Sequence, residues 1–138
     1  MKIRKDPAGM VREFHRTFNL PLDTDPDTDL RNMRVSLIVE EALEAVEEIN
    51  RYDLPGIAKE LADLVYVAYG AAVTFGIDLD EAIHQVHGSN MSKLGDDGKP
   101  IYRPDGKVLK GPNYREADVT PALPEWWHQE RVAAAHGS

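Results

Sequence analysis

Residues 61–77, Leu-Ala-Asp-Leu-Val-Tyr-Val-Ala-Tyr-Gly-Ala-Ala-Val-Thr-Phe-Gly-Ile, carry one charged side chain in 17 positions, Asp63. Ile57, Leu61, Leu64, Val65, Ala68, Ala72 and Phe75 recur at helical spacing, which predicts a buried helix. The run is too short to cross a bilayer and, with Tyr66, Tyr69, Thr74, Gly70 and Gly76, too polar. A lone carboxylate buried in such a helix costs on the order of several kcal/mol unless something pairs with it. Glu60 stands one turn earlier, so Glu60-x-x-Asp63 places two carboxylates on one helical face. The rest of the chain has to supply what neutralises them.

A chain of 138 residues predicts a single domain, large enough to bury a core of its own. With 42% hydrophobic and 29% charged residues, neither a disordered chain nor a fibrous repeat fits. A net charge of −8 argues against nucleic-acid binding, which needs a basic face. The lack of cysteine excludes disulfides, thiolate metal sites and cysteine nucleophiles. No signal peptide, transit peptide or membrane run is legible, so a cytoplasmic protein without membrane partners is expected.

The elements follow from caps and periodicity. Asp6-Pro7 opens a first helix with Met10, Val11, Phe14 and Phe18 on one face, running to about Asn19. Asp25, Asp27 and Asp29 alternate like the start of a calcium loop, but Leu30 and Ser36 stand where an EF-hand needs glycine and glutamate. A linker ending in a helix cap is expected instead. A second helix spans about Thr28 to Tyr52, with Val35, Ile38, Val39, Ala42, Ala45, Val46 and Ile49 on its apolar face. Asp53-Leu54-Pro55-Gly56 reads as a turn, and the short connection predicts that the next helix, from about Gly56 to Gly76, lies antiparallel to the second. Asp78-x-x-Glu81 is a capping box for a fourth helix. The predicted fold is all-α, a four-helix-type bundle with its helical core at about residues 7–92. An irregular extension over 93–138 follows, with a possible small hairpin around Pro104-Asp105-Gly106. A short terminal helix from about Pro124 to Ala135 would dock through Trp126 and Trp127.

Glu41 and Glu44 are spaced like Glu60 and Asp63, and antiparallel packing can gather the two pairs into one cluster of four carboxylates. Four such charges repel unless a cation offsets them, and oxygen-only ligands point to Mg²⁺ or Mn²⁺. The chemistry this implies is metal-assisted hydrolysis at phosphorus.

Glu40-Glu41-x-x-Glu44 followed by Glu60-x-x-Asp63 resembles the signature of the all-α NTP pyrophosphohydrolases, the superfamily of the MazG proteins, dimeric dUTPases and phosphoribosyl-ATP pyrophosphohydrolases. The similarity covers roughly residues 30–94. Ser89 to Lys93 and Gly106 to Tyr114 look like a phosphoribosyl-ATP-pyrophosphohydrolase-like subgroup. The resemblance implies a homodimer or homotetramer that holds Mg²⁺ and cleaves a nucleotide between its α- and β-phosphates, giving a monophosphate and pyrophosphate. Carried over residue by residue, Glu41, Glu44, Glu60 and Asp63 would be metal ligands. Glu40 would hold a further ion or orient the attacking water. Lys93 is the candidate phosphate contact, with Asn90 one turn before it, and Lys107 and Lys110 stand on a segment that would close over the phosphates.

Two other readings use the same residues. Glu81-x-x-His84 and Glu125-x-x-His128 have the spacing of a di-iron carboxylate bundle, although Glu81 is also explained as a cap partner. A non-catalytic helical interaction module would keep the fold without binding magnesium. Nothing in the sequence selects the base or the sugar of a nucleotide.

Overall fold

The computed structural model describes residues 6–137. Its packing divides into two compact units. The first runs to Ile77 and resumes at Pro124; the second is Asp78–Leu123.

In the first unit, α1 (Pro7–Thr17) starts where Asp6 accepts a hydrogen bond from the Gly9 amide at 2.7 Å, with proline in the first turn. It stops two residues short of the expected Asn19. Asn19 adopts a left-handed φ of 55°, and the Leu20 amide donates back to the His15 carbonyl at 2.8 Å. Asp27 caps α2 (Thr28–Arg51) by accepting from the Leu30 amide at 2.9 Å, so the alternating aspartates are linker and cap. Helix α3 (Leu54–Phe75) begins two residues before the expected Gly56. Pro55 falls in its first turn, where a missing N–H breaks no helical bond. The expected turn thus shrinks to Tyr52-Asp53, with Tyr52 left-handed at φ 55°. Gly76, at φ 79°, closes α3 as expected. The terminal helix α5 (Glu125–His136) belongs to this unit too. Trp126 docks it by donating from Nε1 to the Phe75 carbonyl at 3.0 Å, whereas Trp127 carries the Arg131 guanidinium over its ring.

Helices α2 and α3 pack antiparallel: Arg34 lies against Gly70 at one end, and Glu44 meets Glu60 at the other. The buried residues of this unit are Val11, Ala45, Tyr69, Ala72 and Val73, with His15, Arg34 and Thr74 as polar members. This corrects the expected core. Val35, Val39, Val46 and Ile49 of α2 are exposed, because α3 packs on the neighbouring stripe through Arg34, Glu41 and Ala45. Leu61 and Val65 of α3 are exposed as well. The N-terminal half of α3 is therefore not buried within this chain; only its second half is.

In the second unit, α4 (Leu79–Met91) has half of the expected capping box. Asp78 accepts from the Glu81 amide at 3.1 Å, but Glu81 turns to Gln85, and the Asp78 amide donates to Ala122, next to a 3₁₀ turn at Thr120–Ala122. The predicted hairpin is reduced to one antiparallel bridge, Tyr102 with Val108, around a turn at Gly106 with φ 89°. Ser89 and Ser92 fasten the following segment to α4 through the backbone of Arg115. Among the described residues no single helix is long and apolar enough to cross a membrane.

Candidate functional site

Two stripes face one another along the α2–α3 seam. On α2 they are Arg34, Leu37, Glu41 and Glu44; on α3, read backwards, Gly70, Val67, Asp63 and Glu60. Successive steps of three and four residues keep each stripe on one side of its helix. Antiparallel packing then brings all four acids to the same end of the seam. Carboxylate oxygens of Glu41, Glu60 and Asp63 lie within 4.8 Å of one another, the one such grouping of potential metal ligands among the described residues. The Glu44 carboxyl lies close enough to those of Glu60 and Glu41 to share a proton with them.

The electrostatics are those of crowded negative charge. The hydrogen bond to Glu60, together with the charges of Glu41 and Glu60, pushes the Glu44 carboxyl up to about 7. Burial raises Glu41, and Asp63 adds to the rise. Glu60 moves the other way, held down first by its hydrogen bond from Lys59 and then by that from Glu44. The cluster thus shares a proton, with Glu44 as its main holder and Glu60 as the charged acceptor.

Asp63 differs from its expected setting. Its side chain is 39% exposed, and Lys59 Nζ stands 2.6 Å from Oδ2 and 3.1 Å from Glu60 Oε1. The two carboxylates in turn raise the lysine pKa. The partner that Asp63 requires therefore includes its own neighbour four residues back, a pairing that the Lys59-x-x-x-Asp63 spacing already signals. One ammonium does not satisfy the whole cluster. Glu41 Oε2 and Glu60 Oε2 are buried, and among the described residues no N–H group or alcohol donates to either. Oxygen donors alone, two of them without such a partner, form a set that fits a hard divalent cation such as Mg²⁺ or Mn²⁺.

Glu40 is exposed and lies outside the group of three. Asn90, Lys93, Lys107 and Lys110 all belong to the second unit, whereas the acids belong to the first. Asn90 is exposed on the last turn of α4, and Lys93 follows that helix, its carbonyl accepting from the Gly111 amide at 2.8 Å. Lys107 is exposed beside the Gly106 turn, and Lys110 rests over the Tyr114 ring, 4.6 Å from its centre. Neither Glu81 with His84 nor Glu125 with His128 enters a ligand grouping among the described residues. The reading of the sequence did not single out Arg34 and His15, both buried on the apolar side of the seam. A signal existed for Arg34, which precedes Glu41 by two helical turns on the same stripe.

Comparison with known proteins adds three findings. The family model described as phosphoribosyl-ATP pyrophosphohydrolase matches residues 11–90. An uncharacterized protein of Acanthamoeba polyphaga mimivirus, L479, is 38% identical over 77 residues; the match covers 51% of this chain and 31% of that relative's length. A solved structure described as a candidate NTP pyrophosphohydrolase from Exiguobacterium sp. 255-15 aligns with a TM-score of 0.43 and 22% identity, over 97% of this chain and 98% of that one.

Proposed function

This chain belongs to the phosphoribosyl-ATP pyrophosphohydrolase family, and from that footing we propose that it hydrolyses a nucleoside triphosphate or related nucleotide between the α- and β-phosphates. The products are a nucleoside monophosphate and pyrophosphate. The observation that carries this reading is the four-acid cluster with two buried carboxylate oxygens to which no N–H group or alcohol among the described residues donates.

Glu41, Glu44, Glu60 and Asp63 would hold Mg²⁺, with Mn²⁺ as a substitute. When bound, such a cation would supply charge neutralisation at the phosphates and lower the pKa of water. The chain's own groups do the rest. Glu41, with the adjacent Glu40, orients a water towards the α-phosphorus and takes its proton as the new P–O bond forms. The bond from the α-phosphorus to its bridging oxygen breaks, and the electron pair leaves with pyrophosphate. Asn90, Lys93, Lys107 and Lys110 bind the phosphate oxygens. Lys59, 3.1 Å from Glu60 and 2.6 Å from Asp63, offsets part of the charge of those two carboxylates. The reaction belongs in the cytoplasm, where nucleotides and magnesium are both plentiful.

The test is a panel of nucleoside triphosphates and phosphoribosyl-ATP with Mg²⁺, resolving pyrophosphate from orthophosphate. Pyrophosphate with monophosphate is the expected outcome. Orthophosphate would break the assignment of the scissile bond. No product from any member, with no thermal shift on adding Mg²⁺, would leave a non-catalytic helical module.

A further inference from the structure

Beyond the acids along the same helix pair, α1, α2 and α3 enclose a cavity of about 300 Å³. Phe14, His15, Arg34, Leu37, Tyr66 and Val67 are among its walls. Leu37 is one turn before Glu41 and Val67 one turn after Asp63, so cavity and cluster are separated by about 6 Å along the helices. The lining is mostly apolar, and Phe14 meets Tyr66 edge to face with ring centres 5.8 Å apart.

Two polar groups interrupt that lining. Arg34 is 6% exposed, and its Nε has no acceptor among the described residues. Burial alone lowers its pKa, with no carboxylate charge acting to raise it. Gly70 makes room for it: a Cβ there would stand 2.9 Å from Nη1. A guanidinium buried without a counter-charge is costly, and it has only donors to offer. His15 is 1% exposed, with Nδ1 2.9 Å from the Pro21 carbonyl. A carbonyl only accepts, so Nδ1 carries the hydrogen and Nε2 of the neutral ring is left as an acceptor. Burial, with the charges of Arg34 and Arg12, holds this ring below its ordinary pKa, against the opposing pull of the Pro21 contact.

We propose that this cavity receives the base of the nucleotide, and that Arg34 together with His15 selects bases that carry an oxo group beside a ring N–H, such as hypoxanthine, guanine and uracil, over adenine and cytosine, which carry an amino group beside a ring nitrogen without hydrogen. The inference rests on the reading of the acid cluster as the site of the phosphates. A carbonyl oxygen has two lone pairs and takes two guanidinium donors, while the adjacent ring N–H is accepted by His15 Nε2. Adenine and cytosine present an amino group and a ring nitrogen without hydrogen on that edge, so amino hydrogens face Arg34 and a lone pair faces His15 Nε2. The 2-oxygen of cytosine adjoins the same bare nitrogen and still leaves His15 without a donor. A buried donor left against a donor carries its full desolvation cost.

The test uses matched nucleoside monophosphates that differ at one oxo or amino group: inosine against adenosine monophosphate, and uridine against cytidine monophosphate. Binding to the full chain is measured by calorimetry with Mg²⁺ present. The oxo member of at least one pair should bind at least about ten-fold tighter, and that ratio should collapse in Arg34→Met. Arg34→Lys, which keeps the charge but loses the Nε donor, serves if the methionine variant does not fold. Equal or tighter binding of the amino members would overturn the proposal, as would a preference that survives both substitutions or the absence of binding by all four. Monophosphate binding needs no hydrolysis, so failure of the pyrophosphohydrolase reading and failure of base selection give different results.

Discussion

Glu44 keeps its proton to about pH 7, well above the range of an isolated glutamate. Its folded-state pKa is raised, so the stability linked to that proton is fully present below the unfolded value near 4.5 and is lost as the pH rises through about 7. Without divalent cations, the melting temperature of the wild type should therefore fall relative to Glu44→Gln between about pH 4.5 and 7 and run parallel to it outside that window. A constant difference across the window would show that the cluster does not share a proton. A cation must displace the same proton, so apparent affinity for Mg²⁺ should rise with pH through about 7. Asp63→Asn is expected to lower hydrolysis at least about a hundred-fold. Asp63 is partly exposed and paired only at the surface with Lys59, so the variant should melt close to the wild type. Full activity in that variant would remove Asp63 from the site.

At the scale of elements, the caps set the register that the acids depend on. Asp27→Ala removes the hydrogen bond that starts α2 and should cost about 1 kcal/mol in denaturant unfolding. Gly76→Ala should cost more than 1 kcal/mol, roughly, because φ is 79° and a Cβ would stand 3.2 Å from both Asp23 Cα and Pro124 Cβ. These same residues made the helices legible: Asp6, Asp27, Gly76 and Asp78 mark ends by local chemistry that needs no tertiary knowledge. Pro55 misled, since proline before glycine signals a turn but is equally at home in the first turn of a helix. The spacing of Glu41, Glu44, Glu60 and Asp63 was legible because two helices joined by a two-residue turn have little choice of partner. His15 was not, because burial of a titratable side chain is a property of the packed seam; Arg34 shares the stripe of Glu41, but its burial likewise belongs to the packing alone.

For the whole molecule, the apolar surface of α2 and α3 is what a single chain leaves uncovered. Val35, Val39, Leu43, Val46 and Ile49 of α2 and Leu61 and Val65 of α3 are exposed, more than a freely dissolved chain usually shows. A helical wheel records that a face is apolar and not which molecule covers it, so the sequence does not separate an internal core from an interface between copies. We propose that a second copy of the chain covers them, as a homodimer or a homotetramer built from two dimers. Light scattering should give at least twice the 15.4 kDa of one chain, and Val46→Glu should shift the mass towards the monomer. A wild type that stays monomeric at micromolar concentration would contradict this. Whatever the assembly, the proposed hydrolysis depends on the carboxylates of α2 and α3 acting as one cation site. The direct test is Mn²⁺ binding, followed by calorimetry and by electron paramagnetic resonance, in the wild type and in Glu41→Gln and Glu60→Gln. Saturable binding that both substitutions abolish is the predicted result; Mn²⁺ bound equally well by all three proteins would contradict it.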